Sequence, residues 1–201
     1  MNSTTAKLPL VCAHRSFSDR EFRDALGLFA TGVVVITSTG NAGSGSGNGN
    51  GNGCLGATIS SFSSVSLDPP LILFSIGRHS KAFTAWQSVE HFAVNILGEG
   101  QSAISTRFAR ALTDKWDGVE MCPGLEGVPL LSDALAWIEC RSHAKYDGGD
   151  HLIIVGEVLS LTARSGIDAR PLVFFGGKYR RLDVDPGIST PPDAEQWLHG
   201  W

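Results

Sequence analysis

At 201 residues, with 42% hydrophobic and 18% charged side chains, the chain has enough apolar content for a packed core and too little charge for a disordered one. A formal net charge of −4 excludes a general binder of nucleic acid or anionic membrane, and no apolar run reaches the roughly 18 residues of a membrane-crossing helix. The four cysteines, Cys12, Cys54, Cys122 and Cys140, show no C-x-x-C spacing, so reduced thiols in a cytoplasm are expected rather than a zinc site or a redox pair.

Residues 1–15 read as a loose leader before a domain expected over 16–183, with a tail over 184–201. Within the leader, Leu8–Ala13 is too short and too proline-broken for a signal peptide. A helix is predicted next. Ser18 caps it, Glu21 completes a capping box, and Phe17 and Phe22 sit where a hydrophobic staple closes. Phe22, Leu26 and Phe29 are its expected buried stripe and Gly32 its expected end. The β-branched run Val33–Thr37 predicts a strand. Residues 41–53 are a Gly/Asn-rich tract without a G-x-G-x-x-G register, and they lead into a strand over 54–59. A flexible hairpin loop is therefore expected there, and not a phosphate cradle.

The segment Gly56–Pro70 carries six hydroxyl side chains between Thr58 and Ser66, and no cation. Small donors beside exposed amides suit a flat, polar ligand, although serine-rich connections between strands have the same composition. The strand Leu71–Ile76 follows. Ser80 is predicted to cap a helix with Phe83 and Trp86 on one face, and Lys81 beside it adds a positive charge. That pairing suits an anion at a helix N-terminus, and equally an ordinary capped surface helix.

In the strand His91–Leu97, Phe92, Val94 and Ile96 face one way. A short helix through Ile104 and Phe108 leads to an irregular segment over Ala111–Leu131. Two long strands, Leu135–Tyr146 and His151–Leu161, flank Asp147-Gly148-Gly149-Asp150, where Asp-Gly predicts a type I′ turn. A last hairpin spans Pro171–Leu182. About seven strands, short connections and inserted helices predict a mainly β fold, a barrel with peripheral helices. The chain has no H-x-x-x-H pair and no G-x-S-x-G elbow.

Residues 56–70 resemble the signature of the flavin reductase-like family, Gly-Met-Thr-Ala-Asn-Ser-Phe-Thr-Ser-Val-Ser-Leu-Asp-Pro-Pro-Leu. Thr58, Ser61, Phe62, Ser64, Val65, Ser66, Leu67, Asp68, Pro69 and Pro70 stand as in that signature, while Ala57, Ile59 and Ser60 replace Met, Ala and Asn. The resemblance extends from about Phe17 to Leu182. It implies a split β-barrel that uses NADH or NADPH to reduce FMN or FAD. It also implies a homodimer and a flavin-dependent monooxygenase partner, with no role for nucleic acid or membrane.

The same resemblance implies site residues. Thr58, Ile59, Ser60, Ser61, Phe62, Ser64 and Val65 would contact the flavin, and His79, Ser80 and Lys81 its phosphate. Arg107, Phe108 and Ala109 would edge the flavin site, and His151 would stand beside the nicotinamide. Phe174, Phe175, Gly176 and Gly177 would line the dinucleotide, with Gly176 where the family often has Arg. Hydride transfer between two such cofactors needs neither nucleophile nor metal, so no catalytic side chain and no metal ligand are expected. The same barrel also fits a non-enzymatic flavin or haem binder, or an oxidase of a small amine or vitamin phosphate.

Overall fold

The computed structural model describes residues 16–40, 53–112, 115–164 and 169–182. The expected leader, nearly all of the Gly/Asn loop and the tail lie outside the described residues.

Helix α1 (Asp19–Leu26) starts as its sequence predicts. Glu21 N donates to Ser18 Oγ at 3.2 Å, Ser18 N donates to Glu21 Oε2 at 2.9 Å, and the Phe17 and Phe22 rings stack at 5.5 Å. Its end differs. Gly27 is the C-cap, donating to Arg23 O at 2.8 Å, and Gly32 instead joins Thr31 in the short strand β1 (Thr31–Gly32). The expected stripe is not buried among the described residues either: Phe22, Leu26 and Phe29 are 50%, 58% and 77% exposed. Helical periodicity identifies an apolar face without saying which surface covers it.

Strands β2 (Val34–Ser38), β3 (Leu55–Ile59), β4 (Ser63–Leu67) and β5 (Pro70–Gly77) follow, then helix α2 (Phe83–Gln87), β6 (His91–Ile96) and helix α3 (Ser102–Ala109). After β7 (Met121–Pro123) and β8 (Pro129–Leu131) come the long strands β9 (Ala136–Gly148) and β10 (His151–Ala163), and finally β11 (Val173–Phe175) and β12 (Lys178–Arg180). The main sheet is antiparallel, in the order β3-β2-β6-β9-β10-β5-β4. Its two edges, β3 and β4, are consecutive in the chain and joined only by residues 60–62.

That connection dictates the shape. Laid flat, the outermost strands would stand roughly 29 Å apart, at about 4.8 Å per strand spacing. The backbone from Ile59 to Ser63 spans at most about 14 Å. The sheet therefore curls until its edges approach one another, leaving a seam at residues 60–62. At that seam Ser75 N of β5 donates to Ser61 Oγ at 3.0 Å, extending the β4–β5 pairing. The result is the split barrel, with short helices on its outside.

Alternation along the strands fills the interior. Phe92, Val94 and Ile96 do share the inner face, packed with Ile36, Phe74, Trp86 and Ile154. The Phe74 ring meets Trp86 and Phe92 edge-on, at 6.0 and 5.1 Å. The outer face of β2 and β6 is covered as well, because Val33, Val35, Leu97, Phe108, Leu131 and Leu172 form a second apolar layer. Asn95 is fully buried there and satisfied: its Nδ2 donates to Val35 O (2.9 Å) and Thr37 Oγ1 (3.0 Å), and its Oδ1 accepts from Leu131 N (2.8 Å).

The segment expected to be irregular, 111–131, thus contains an ordered hairpin, β7–β8, fastened by Asn95. Its strands are three residues long and carry Pro123 and Pro129, too short for a period-2 pattern to emerge. The β9–β10 turn also differs from expectation. A type I′ turn needs positive φ at both central residues, but only Gly149 (φ 73°) has it, and Asp150 does not. The pair of positive φ values occurs instead at Gly176 (58°) and Gly177 (73°), between β11 and β12.

Candidate functional site

The seam opens into a cavity of about 910 Å³, within the range of small-molecule sites. One wall is β3 and the seam, from Gly56 to Ser61. A second is the end of β5 and the loop to α2, with His151 beside it. The third is the chain leaving α3, Phe108 to Leu112, with Lys115 and Trp116.

In the first wall Thr58, Ile59, Ser60 and Ser61 all line the cavity. Their hydroxyls are not equivalent. Thr58 Oγ1 donates to Ser105 O at 2.6 Å and holds β3 against α3, while Ser61 Oγ accepts from Ser75 N. Ser60 is exposed and makes no side-chain hydrogen bond among the described residues, so its hydroxyl is the uncommitted one. Gly56 is buried because nothing larger fits. A Cβ there would lie 2.3 Å from Phe108 Cε1 and 3.2 Å from Trp116 Cζ2.

In the second wall His79, Ser80 and Lys81 reach the cavity together. Ser80 is not the helix cap it was expected to be. Helix α2 begins at Phe83 with Ala82 as N-cap, and Ser80 lies in the preceding turn, its carbonyl accepting from Phe83 N at 3.0 Å. The run of apolar residues after it placed the start of the helix too early. An anion here meets a turn carrying one lysine, and Lys81 forms no ion pair among the described residues.

The tip of the β9–β10 hairpin is strapped to this loop through Arg78. Its backbone N donates to Asp150 O (2.8 Å), its Nε to Gly149 O (2.9 Å), and its Nη2 pairs with Asp147 Oδ1 (3.0 Å). The guanidinium holds the Asp147 carboxyl below its ordinary range. His151 is thereby held at the cavity edge, its ring 6.5 Å from that of His79 and nearly perpendicular to it. Asp150 Oδ1 lies 2.7 Å from His151 Nδ1, and that hydrogen bond keeps the Asp150 carboxyl below its usual range.

In the third wall Phe108 and Ala109 line the cavity, and Phe108 also belongs to the buried second layer. Lys115 and Trp116 beside them were not anticipated from sequence. Lys115 Nζ donates to Gly56 O (3.2 Å) and Phe108 O (3.3 Å), and burial pushes its ammonium below the ordinary lysine range. Trp116 Nε1 donates to Cys54 O at 3.0 Å, and its ring meets Phe108 at 4.8 Å. A lysine beside a tryptophan in an otherwise polar stretch was the only signal available.

The remaining expected residues lie off this cavity wall. Phe62 packs on the barrel interior, and Ser64 and Val65 are exposed on the edge strand β4. Arg107 Nη1 donates to Asp117 O at 2.5 Å and lines a neighbouring hollow. Phe174 meets Tyr179 at 5.8 Å, and Phe175, Gly176 and Gly177 form the exposed end of the β11–β12 hairpin.

Over residues 26–183 the sequence matches the family model of the flavin reductase like domain. It is 42% identical to an FMN reductase (NADH) of Agrobacterium fabrum, over 82% of this chain and 87% of that protein. It is 35% identical to the reductase subunit of a flavin-dependent monooxygenase of Mycobacterium tuberculosis, over 86% of each. Among solved structures, an NADH:FAD oxidoreductase of Streptomyces globisporus in complex with NAD and FAD fragments superposes with a TM-score of 0.73. The identity there is 36%, over 84% of this chain and 95% of that one.

Proposed function

The chain belongs to the flavin reductase-like family, and from that premise we propose that it is an NAD(P)H-dependent flavin reductase. It passes hydride from NADH or NADPH to FMN or FAD and supplies the reduced flavin to a partner flavin-dependent monooxygenase. The observation that carries this reading is the cavity at the seam, whose wall joins neutral donors at Thr58–Ser61 to Lys81, a cation with no ion pair among the described residues. Such a donor set fits a flat polar ring bearing an anionic tail.

When bound, the flavin supplies the redox chemistry, accepting at N5 the hydride that leaves the nicotinamide C4. The protein binds and orients. In this reading the Thr58–Ser61 backbone and the Ser60 hydroxyl hold the ring edge, and Ser80 and Lys81 hold the phosphate. Phe108 and Trp116 close the wall, while Asp150 holds His151 toward the nicotinamide.

A second copy of the chain is part of the proposal. Phe22, Leu26 and Phe29 present an apolar face that no other described residue buries, which supports a homodimer. Free thiols at Cys54, Cys122 and Cys140 support a reducing compartment, the cytoplasm. Among the described residues, no helix is long and apolar enough to cross a membrane.

Anaerobic mixing with NADH or NADPH in the presence of FMN, FAD or riboflavin tests the reading. Bleaching of flavin absorbance is expected, and no bleaching with either nicotinamide would refute it. Within that assay, Lys81→Ala is expected to weaken FMN or FAD about ten-fold or more, because a charge-assisted hydrogen bond contributes roughly 1.5–3 kcal/mol. Riboflavin, lacking the phosphate, should be little affected; equal loss for all three flavins would remove Lys81 from the phosphate site. His151→Ala is expected to raise KM for the nicotinamide or to slow hydride transfer, with flavin affinity nearly constant. Stopped-flow reduction beside a flavin titration and a melting curve separates these effects from a general loss of structure. A stable variant with unchanged nicotinamide affinity and unchanged hydride transfer would leave His151 only a structural residue.

A further inference from the structure

Beside the flavin cavity lies a second hollow of about 420 Å³, and Arg110 and Leu112 line both. The second hollow is built on one face of α3. Ala103, Thr106, Arg107 and Arg110 recur at the spacing of a single helical face, while Ser105 and Phe108 turn inward and are buried. Tyr179 of β12 closes one side, its hydroxyl 2.8 Å from Ser105 Oγ.

The chemistry of the hollow is one-sided. Two guanidiniums line it and, among the described residues, no carboxylate does. Arg110 enters no ion pair among the described residues, and Arg107 commits Nη1 to Asp117 O, which leaves the rest of its fork available. Ser102 and Thr106 add hydroxyls. Guanidinium forks match phosphate oxygens in pairs, and an aromatic ring offers a stacking surface for a base. This is a phosphate-and-base environment joined directly to the cavity for the flavin ring.

Resting on the flavin reductase reading above, we propose that this hollow receives the adenylate half of FAD, so that the chain selects FAD over FMN. FMN carries a single phosphate and no base, so it leaves the hollow empty. FAD carries a second phosphate, for Arg107 and Arg110, and an adenine that reaches toward Tyr179. A nicotinamide dinucleotide presents the same adenylate chemistry, and the test separates the two sources.

Dissociation constants for FMN, FAD and NADH or NADPH are measured by fluorescence titration on the full chain, Arg110→Ala and Ala103→Glu. Ala103 is exposed, so its substitution keeps the test valid if Arg110→Ala misfolds. The parent is expected to bind FAD more tightly than FMN. In each variant the ratio of the FAD constant to the FMN constant is expected to rise about ten-fold or more, the loss of one charge-assisted contact or the gain of one repulsive charge. An unchanged ratio in folded Ala103→Glu overturns the proposal. So does a shift confined to the nicotinamide constants, which would assign the hollow to the hydride donor. A parent chain that binds neither flavin would instead refute the reductase reading, and this inference with it.

Discussion

Replacing Gly56 with alanine is expected to weaken flavin binding about a hundred-fold and to remove roughly 1–3 kcal/mol of stability, the cost of overpacking a filled interior. The added Cβ would stand 2.3 and 2.4 Å from Phe108 Cε1 and Cδ1. Phe108 cannot swing away, since it is buried among Val35, Leu97 and Leu131. If β3 retreats instead, it pulls on the Thr58–Ser105 hydrogen bond and on the Lys115 ammonium that holds Gly56 O. Either relaxation deforms two cavity walls together. The double substitution Gly56→Ala with Phe108→Leu, which removes the clashing ring atoms, should recover part of both losses. A flavin titration and a urea melt of the parent and the two variants decide the matter. A single variant that binds and unfolds like the parent would show that the wall is soft.

Phe74→Ala is expected to cost about 3–5 kcal/mol, a large share of the roughly 5–15 kcal/mol that keeps a protein folded. Phe74 is fully buried on the central face of β5 and makes edge-on contacts with both Trp86 and Phe92. Removing it leaves two large rings without their shared neighbour, in an interior whose curvature prevents the strands from closing on the gap. Leu67→Ala is the control: its side chain is 71% exposed, and the expected change is within about 0.5 kcal/mol. Equilibrium urea unfolding measures both. A loss below about 1 kcal/mol at Phe74 would mean that the barrel interior repacks freely.

Much of the barrel could be read locally. The alternation of Phe92, Val94 and Ile96 identified an inward face, and the Ser18–Glu21 pair identified a helix start, because both signals act over a few residues. What failed depended on distant partners. The apolar face of α1 is real, but its burial requires a surface that the other described residues do not provide. The β7–β8 hairpin is ordered by Asn95, far away in sequence, rather than by its own composition. Thr58–Ser61, His79–Lys81, Phe108 and His151 meet at one cavity, whereas Phe174–Gly177 lie off it. Lys115 and Trp116 were missed because their partners are the backbone oxygens of Gly56, Phe108 and Cys54, and carbonyls leave no mark in a sequence.

The three residues at the seam join the first and last strands of the sheet, and two of them, Ser60 and Ser61, face the cavity. A molecule resting against Ser60 and Ser61 while touching β3 and the end of β5 therefore acts as a clasp across the one line where the barrel lacks strand-to-strand hydrogen bonds. Occupancy and firmness are then linked: ligand at a hundred times its dissociation constant adds about 2.7 kcal/mol to the folded state. On the proposed reading, a carrier that surrenders its reduced flavin undoes its own clasp. Each delivery leaves it looser than before, until the next flavin fastens the seam again.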